Sequence, residues 1–139
     1  MSEPLRSHEV SIRVRYAETD RMGLLHNATY LVYFELGRIE LLRARGIAYR
    51  DLEDQGFLLV LSRIEVKYRS PARYDDVLTL RTSVARTTMA SVDHRYELFR
   101  DDTLLAEGLS TLVCVDRQGH VQRLPPALSR EDAAPATGR

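Results

Sequence analysis

The stretch that decides the fold is residues 15–45, RYAETDRMGLLHNATYLVYFELGRIELLRAR. Its first part, residues 17–26, has no clear period and contains Asp20 and Gly23, which is typical of a loop. In its second part, apolar residues recur at roughly helical spacing. The pattern predicts a long helix over Asn27–Arg45, about 28 Å in length at 1.5 Å per residue.

The predicted helix has recognisable ends. Asn27 or Thr29 is expected to cap its start, because either side chain can accept a hydrogen bond from an unpaired N–H of the first turn. Arg43 and Arg45 lie in the last turn, where cations suit the helix dipole. Gly46 follows, and glycine commonly ends a helix. We therefore expect the helix to stop at Gly46.

Strand patterns fill much of the remaining chain. Residues 9–16 alternate between apolar and polar, which predicts a strand with one buried face. Residues 49–55 are expected to form a short helical turn. Four more strands are predicted: Leu59–Tyr68, Val77–Arg86, Ala90–Arg100 and Thr103–Val115. Because these strands do not alternate with helices, their order predicts an α+β fold with a mostly antiparallel sheet.

Length and charge narrow the possible functions. A chain of 139 residues is close to one ordinary domain. Lysine plus arginine and aspartate plus glutamate each number 20, so the net charge of +0 argues against a dedicated nucleic-acid binder. The longest purely apolar stretch, residues 57–61, is far too short to span a membrane. The N-terminus lacks the apolar segment of a secretory signal. We expect a cytoplasmic protein with no nucleic-acid or membrane partner.

The predicted domain ends before the C-terminus. A short strand-like piece is predicted at residues 120–124, where Pro125 and Pro126 end it, and residues 130–139 are mostly small and polar. We therefore expect one domain over residues 1–124 and a disordered tail over residues 125–139.

Motifs for metals and cofactors are missing from the sequence. The seven glycines form neither a dinucleotide-binding nor a phosphate-binding loop. The four histidines make no pair four residues apart. The single cysteine, Cys114, lies in an apolar run and is expected to be buried and inert rather than a nucleophile. We therefore expect no metal and no cofactor.

The loop before the helix carries residues suited to acyl transfer. A helix N-terminus presents unpaired N–H groups and partial positive charge, which can bind a developing oxyanion. Asp20 lies seven residues before Asn27. Its carboxylate could activate water or attack a carbonyl directly. The alternative is that Asp20 and Gly23 are only turn residues, and the loop alone does not decide between these interpretations.

The loop and the helix together match a known signature. In the loop the signature has a Tyr, then a Thr followed directly by an Asp, a Gly three residues after the Asp, and a hydrophobic pair. In the helix it has a Tyr and an aromatic residue followed by a Glu. The matching residues are Tyr16, Thr19, Asp20, Gly23, Leu24–Leu25, Tyr30 and Phe34–Glu35. A second block, residues 68–76 (YRSPARYDD), has an aromatic residue, a small-residue turn and an acidic pair before a strand. Over about residues 9–122 the chain resembles the hotdog-fold acyl-CoA thioesterases of the 4-hydroxybenzoyl-CoA thioesterase type.

The resemblance implies a fold, an assembly and an activity. The fold is the hotdog fold, in which an antiparallel sheet of five or six strands wraps one long central helix. The family works as homodimers or homotetramers with active sites at the subunit interface. The implied reaction is hydrolysis of an acyl-CoA to the free acid and CoA. Asp20 matches the catalytic carboxylate, as base or nucleophile, and the N–H of Asn27 matches the group that polarises the thioester carbonyl.

The resemblance also assigns residues to substrate binding. The expected substrate-binding residues are Tyr16, Gly23, His26, Ser62 and Arg63. His26 could touch the acyl group or cap a turn. Arg73 and Arg86 are candidates for the CoA phosphates on charge alone. Two alternatives remain at this point, namely a hotdog hydratase or dehydratase and a non-catalytic acyl-CoA binding module. The sequence does not identify the acyl group.

Overall fold

The computed structural model describes residues 6–129, which form one antiparallel sheet and a long helix packed against it. The elements are β1 (Ser7–Arg13), a 3-10 turn (Tyr16–Glu18), α1 (Thr29–Ala44), α2 (Tyr49–Asp54), β2 (Leu58–Tyr68), β3 (Val77–Thr87), β4 (Ser91–Arg100) and β5 (Thr103–Val115). The strand order is β1-β3-β4-β5-β2, so β1 and β2 are the edges. The predicted α+β fold is confirmed, with five strands in the described part of the chain.

The long helix is held on the sheet by the apolar face that its sequence pattern predicts. Phe34, Leu41 and Leu42 of α1 are buried. The ring of Phe34 stacks on Tyr96 of β4 with 4.3 Å between the ring centroids. Burial of a side chain of this size contributes about 1.5–3 kcal/mol. This contact fixes the middle of the helix over the centre of the sheet.

Two glycines allow the helix to approach the sheet closely. A Cβ atom added to Gly37 of α1 would overlap the Oγ1 atom of Thr82 in β3. A Cβ atom added to Gly108 of β5 would lie 2.6 Å from Cε2 of Phe34. The short distance between the helix and the sheet therefore depends on the absence of a side chain at both positions.

The helix begins differently from the prediction. It starts at Thr29 with Ala28 as the preceding residue, and no side chain of Asn27 or Thr29 caps it. The predicted caps are therefore wrong, and just before the helix the Nδ1 atom of His26 accepts a hydrogen bond from the N–H of Ala28 at 3.1 Å. The predicted stop is confirmed, since Gly46 follows the helix with a φ of +85°.

The strands lie close to their predicted positions, with one clear difference. Four of the five strands begin and end within one residue of the prediction. β1 instead stops at Arg13, three residues early. The next residue, Val14, bonds to the loop before β3, with its N–H donating to Asp76 and its carbonyl accepting from Asp75. Tyr16 then begins the 3-10 turn, so the alternating pattern continues past the end of the strand.

The packed domain reaches further towards the C-terminus than expected. Residues 126–129 form a helical turn, and Leu124, Pro125 and Leu128 are buried. Leu128 packs in the same core cluster as Leu41 and Cys114. The boundary expected at residue 124 is thus at least five residues too early, because the two prolines lead into a turn that buries a leucine. Residues 130–139, the rest of the expected tail, lie outside the described residues.

Within residues 6–129, no helix has both the length and the apolar composition needed to cross a bilayer.

Candidate functional site

The loop before α1 packs on the segment that joins β2 to β3. The N–H of Leu25 donates to the carbonyl of Ala72 at 2.8 Å, and Leu24 pairs with Arg73 in an isolated bridge. Leu25 and Ala72 are both buried, so this contact belongs to the core. The two sequence blocks that carry the family resemblance are therefore neighbours in space.

Asp20 is exposed and uses one carboxylate oxygen to close the loop. Its Oδ1 atom accepts hydrogen bonds from the N–H groups of Met22 and Leu24, at 2.8 and 3.1 Å. Gly23 has a φ of +78°, which glycine adopts without the steric cost of a side chain, and donates its N–H to the carbonyl of Asp20. Within residues 6–129 the Oδ2 atom makes no hydrogen bond, so this oxygen can meet a ligand.

The peptide groups on both sides of Asn27 are held in place. The carbonyl of His26 accepts a hydrogen bond from Thr29 at 2.9 Å, and the carbonyl of Asn27 accepts one from the Tyr68 hydroxyl at 2.9 Å. In the described part of the chain, the N–H of Asn27 itself has no acceptor. Asn27, two residues before α1, therefore presents an unpaired donor in a fixed orientation, near the positive end of the helix.

These groups border one open depression, which we call the loop depression. Its lining includes Asp20, His26, Asn27, Tyr30, Tyr68 and Pro71. The rings of Tyr30 and Tyr68 meet edge to face with 4.9 Å between their centroids. Burial raises the pKa of the Tyr30 hydroxyl, which therefore stays neutral at physiological pH. The depression combines a carboxylate, a backbone donor and aromatic walls, which together can bind a carbonyl compound and activate water.

A hydrogen-bonded pair ties the loop to the helix behind it. The hydroxyl of Tyr33, in α1, donates to Oε1 of Glu18 at 2.7 Å. The N–H of Arg15 donates to the same carboxylate at 2.8 Å, and its guanidinium donates to Oε2. Burial acts to raise the pKa of Glu18, but these hydrogen bonds and the charge of Arg15 outweigh it, so the pKa is lowered. Glu18 is therefore an anionic anchor two residues before Asp20.

The predicted site residues fall into two groups. Asp20, His26 and Asn27 border the loop depression, and Gly23 lies in its loop. Tyr16, Ser62 and Arg63 do not border it within this chain. Tyr16 is exposed beside Tyr74, and Ser62 and Arg63 are exposed on the edge strand β2. The Ser62 hydroxyl donates to the carbonyl of Thr111 at 3.3 Å, and Arg63 faces Glu65 at 3.7 Å.

The candidate phosphate ligands also separate. Arg73 is exposed and pairs with Leu24 of the loop, so it lies beside the loop depression. Arg86 lies near the far end of β3, opposite Asp93 of β4. Between Arg86 and the start of β3 at Val77 the strand covers roughly 30 Å at about 3.3 Å per residue. Of the two arginines, only Arg73 is near the loop.

Three contributors were not singled out from the sequence. Tyr68 is the aromatic residue that begins the second sequence block, and only this position in the block indicated that it lies near the site. Glu18 and Tyr33 are 15 residues apart in different elements. Neither residue has a local pattern that distinguishes it from an ordinary polar loop residue or an apolar helix residue, so their contact could not be read from spacing.

Cys114 is buried, as expected, and burial raises the pKa of its thiol, which disfavours the reactive thiolate. Among residues 6–129, no group of three or more His, Cys, Asp or Glu side chains is arranged to hold a metal ion.

Comparisons with known proteins agree with the sequence resemblance. The profile of the thioesterase-like superfamily matches residues 14–131. The acyl-CoA thioester hydrolase YbgC of Escherichia coli is 31% identical over 106 residues, which cover 76% of this chain and 79% of that protein.

Solved structures match over most of the fold. The protein TT1821 of Thermus thermophilus has a TM-score of 0.85 and 32% identity, covering 91% of this chain and 95% of that one. The DHNA-CoA thioesterase of Staphylococcus aureus has a TM-score of 0.87 and 26% identity, covering 96% and 95% of the two chains.

Proposed function

The chain belongs to the thioesterase-like superfamily and is an acyl-CoA thioesterase, and from this premise we propose that Asp20 and the N–H of Asn27 carry out the hydrolysis. The observation that supports this assignment most directly is their shared position in the loop depression. One is a carboxylate with a free oxygen, and the other is a fixed donor at a helix N-terminus.

The donor acts on the carbonyl oxygen of the thioester. The N–H of Asn27 binds this oxygen, and the positive end of α1 stabilises the negative charge that develops on it. Thr29 and Tyr68 hold the neighbouring carbonyls, so the donor needs no reorganisation during the reaction. Removing a donor from a site of this type costs about 2.7–4 kcal/mol of transition-state stabilisation.

The carboxylate acts on the carbonyl carbon in one of two ways. As a general base, Asp20 takes a proton from a water molecule as the water oxygen bonds to the carbon. The carbon–sulfur bond then breaks, and the departing CoA sulfur receives the proton. As a nucleophile, Asp20 itself bonds to the carbon, CoA leaves, and water hydrolyses the resulting mixed anhydride. Both routes consume one water and yield the free acid and CoA.

A single turnover in water labelled with heavy oxygen tests the mixed-anhydride route, because only that route can place the label in Asp20. Direct attack by water places the label in the released acid. If a mixed anhydride forms and water attacks its aspartyl carbon, the label appears in Asp20 instead. Mass spectrometry of the peptide that contains Asp20 reads the difference.

We also propose that the enzyme acts as a homodimer or homotetramer in the cytoplasm. β2 is an edge strand that exposes Val60 and Leu61, and α1 exposes Val32 and Leu36. Exposed apolar side chains beside an unpaired strand edge favour association with another sheet edge. Pairing along β2 brings Ser62 and Arg63 to the interface, in keeping with their predicted contact with substrate.

The experiment that tests the activity is a panel of aromatic, short aliphatic and long aliphatic acyl-CoAs, with release of the CoA thiol as the readout. We expect hydrolysis of at least one class by the wild type and its loss in Asp20→Asn. A separate incubation with an enoyl-CoA tests the hydratase alternative, which loss of the enoyl absorbance with no thiol release would indicate. Tight acyl-CoA binding with no turnover across the panel would indicate a binding module.

A further inference from the structure

A second cavity lies along α1, beyond the loop depression, and we call it the helix cavity. Six apolar side chains from α1, β2, β4, β5 and the C-terminal turn form part of its walls, and five polar side chains complete them: Glu35, Arg38, Arg45, Tyr49 and His94. It measures about 90 Å³. One water molecule needs roughly 10–15 Å³ on the same measure, so the cavity holds a carboxylate and a few methylene groups.

His94 is the buried polar group of this cavity. Its side chain lies on β4, and only 7% of the residue is exposed. The Nδ1 atom is buried and has no hydrogen-bond partner among residues 6–129. Burial and the charges of Arg38 and Arg45 lower the pKa of His94 to about 3, so the ring is neutral at physiological pH. Buried polar atoms are nearly always hydrogen-bonded in native proteins. A bound ligand can supply the partner that Nδ1 of His94 lacks.

Arg38 supplies positive charge beside His94. One of its guanidinium nitrogens donates to the hydroxyl of Tyr96 at 3.2 Å, and Tyr96 in turn contacts the Ser110 hydroxyl at 2.5 Å. Within the described chain, no carboxylate forms an ion pair with Arg38. The exposed carboxylate of Glu35 also borders the cavity and offsets part of the charge. A guanidinium held by one bond keeps other donors for a carboxylate.

The helix cavity continues towards the loop depression. Glu35, Arg38 and Leu59 border both the cavity and a shallower groove beside α1 that reaches Leu31. Leu31 lies about one helical turn beyond Asn27. Arg38 lies about 16 Å from Asn27 along the helix axis, at 1.5 Å per residue. An extended acyl chain can therefore follow α1 from the reacting carbonyl to the cavity.

We propose that the helix cavity binds a carboxylate at the far end of the acyl chain, with Arg38 and His94 as its ligands. The enzyme would then prefer ω-carboxyacyl-CoAs over the corresponding unsubstituted acyl-CoAs. This inference rests on the proposed function, because the bound carboxylate belongs to the thioester substrate.

The test compares dodecanedioyl-CoA with dodecanoyl-CoA, and the longer pair hexadecanedioyl-CoA with hexadecanoyl-CoA, because chains of these lengths can cover the roughly 16 Å between Asn27 and Arg38. Hydrolysis by the wild type is measured as kcat/KM, and binding is measured by calorimetry with Asp20→Asn. We expect the carboxylated member of at least one pair to be favoured by about tenfold or more in both measurements, since hydrogen bonds to charged groups carry energies of this order. Arg38→Met should abolish the preference, whereas Arg38→Lys should keep part of it.

Arg43→Met is the matched control, because Arg43 is an exposed arginine of α1 that pairs with Glu40. It should leave the preference unchanged. Equal kcat/KM and equal binding within both pairs would overturn the inference, as would a preference that survives Arg38→Met. If Arg38→Met does not fold, the wild-type ratios and Arg38→Lys still decide the question. Absence of all hydrolysis with a preserved difference in binding would refute the proposed function but support the carboxylate site.

Discussion

Asp20 and Asp116 close two loops of the same geometry. In each loop the Oδ1 atom of the aspartate accepts hydrogen bonds from the N–H groups two and four residues later, at 2.8–3.1 Å. The third residue after each aspartate is a glycine with positive φ, Gly23 at +78° and Gly119 at +89°. The loop geometry is therefore not specific to a catalytic site. What distinguishes Asp20 is its position beside the start of α1, and Asp116 is a matched control for it.

Asp20→Asn is expected to remove activity without unfolding the protein. The amide oxygen of asparagine can still accept both backbone hydrogen bonds, while the negative charge is lost. Because general acid–base groups contribute about 10²–10⁴ in rate, we expect kcat/KM to fall by at least about 100-fold. Asp116→Asn makes the same change in the equivalent loop and should keep nearly full activity. Thiol release from an acyl-CoA, with thermal unfolding of all three proteins, measures both effects.

A comparable loss of activity in both variants would show that loop stability, not the carboxylate of Asp20, limits the reaction. Near-full activity of Asp20→Asn would contradict the assignment directly.

Asn27→Ala is expected to retain most of the activity, because the proposed donor is the backbone N–H and no side-chain cap is formed. Asn27→Pro removes the N–H itself. Since loss of one oxyanion donor costs about 10²–10³ in kcat, the two variants should differ by about that factor. Steady-state kinetics and circular dichroism of both variants check the prediction. A large loss in Asn27→Ala would instead assign the role to the side chain.

The sequence pointed to those residues of the candidate site that lie together along the chain. Asp20, Gly23 and Asn27 belong to one stretch, and the change from an aperiodic loop to a helical period located them. For His26 the sequence left two roles open, an acyl contact or a cap of a turn, and in the structure its ring nitrogen accepts a hydrogen bond from the N–H of Ala28. His94 lies at a buried position of a strand with alternating burial. The alternation predicts that the side chain is buried, but it does not predict that the ring lacks a hydrogen-bond partner.

Contacts between distant elements were beyond the sequence for a different reason. The pair Glu18–Tyr33 and the approach of Gly37 to Thr82 depend on how α1 lies on the sheet. Patterns of burial specify which face of a helix is covered, but not which atoms meet across the interface. The placement of Ser62 and Arg63 on an edge strand likewise depends on the strand order, which local patterns do not determine.

Tyr33→Phe is expected to destabilise the protein in a pH-dependent way. The Tyr33 hydroxyl is one of the groups that lower the pKa of Glu18. A carboxyl with a lowered pKa stabilises the fold above its unfolded-state pKa, and this contribution is lost as the pH falls through its folded-state pKa. We expect a loss of about 1–3 kcal/mol in the free energy of unfolding at neutral pH. In acid, the difference from wild type should shrink.

Urea unfolding at neutral and acidic pH measures this loss. Tyr74→Phe is the control, because the hydroxyl of Tyr74 makes no hydrogen bond within residues 6–129. A deficit of Tyr33→Phe that is the same at both pH values would argue against a charged Glu18 as the acceptor.

Val60→Asp is expected to weaken self-association. Val60 is 48% exposed on the edge strand β2, and a buried charge without a partner is costly at an interface. Analytical ultracentrifugation should show the wild type as a dimer or tetramer and the variant as a smaller species with reduced activity. Met89→Asp, at an exposed methionine between β3 and β4, should sediment like the wild type. A monomeric wild type with full activity would contradict the proposed assembly.

Gly37→Ala is expected to destabilise the fold through one contact. The added methyl group would overlap Oγ1 of Thr82 and lie 2.8 Å from Cδ2 of Leu80. Overpacking of this kind typically costs about 1–3 kcal/mol. Thr82→Ala removes the nearer obstacle and an oxygen that has no hydrogen-bond partner among the described residues. The double variant Gly37→Ala/Thr82→Ala should therefore lose less stability than the sum of the single variants, by at least about 0.5 kcal/mol. Urea unfolding of all four proteins gives this coupling energy, and strict additivity would show that the helix avoids Thr82 by moving as a whole.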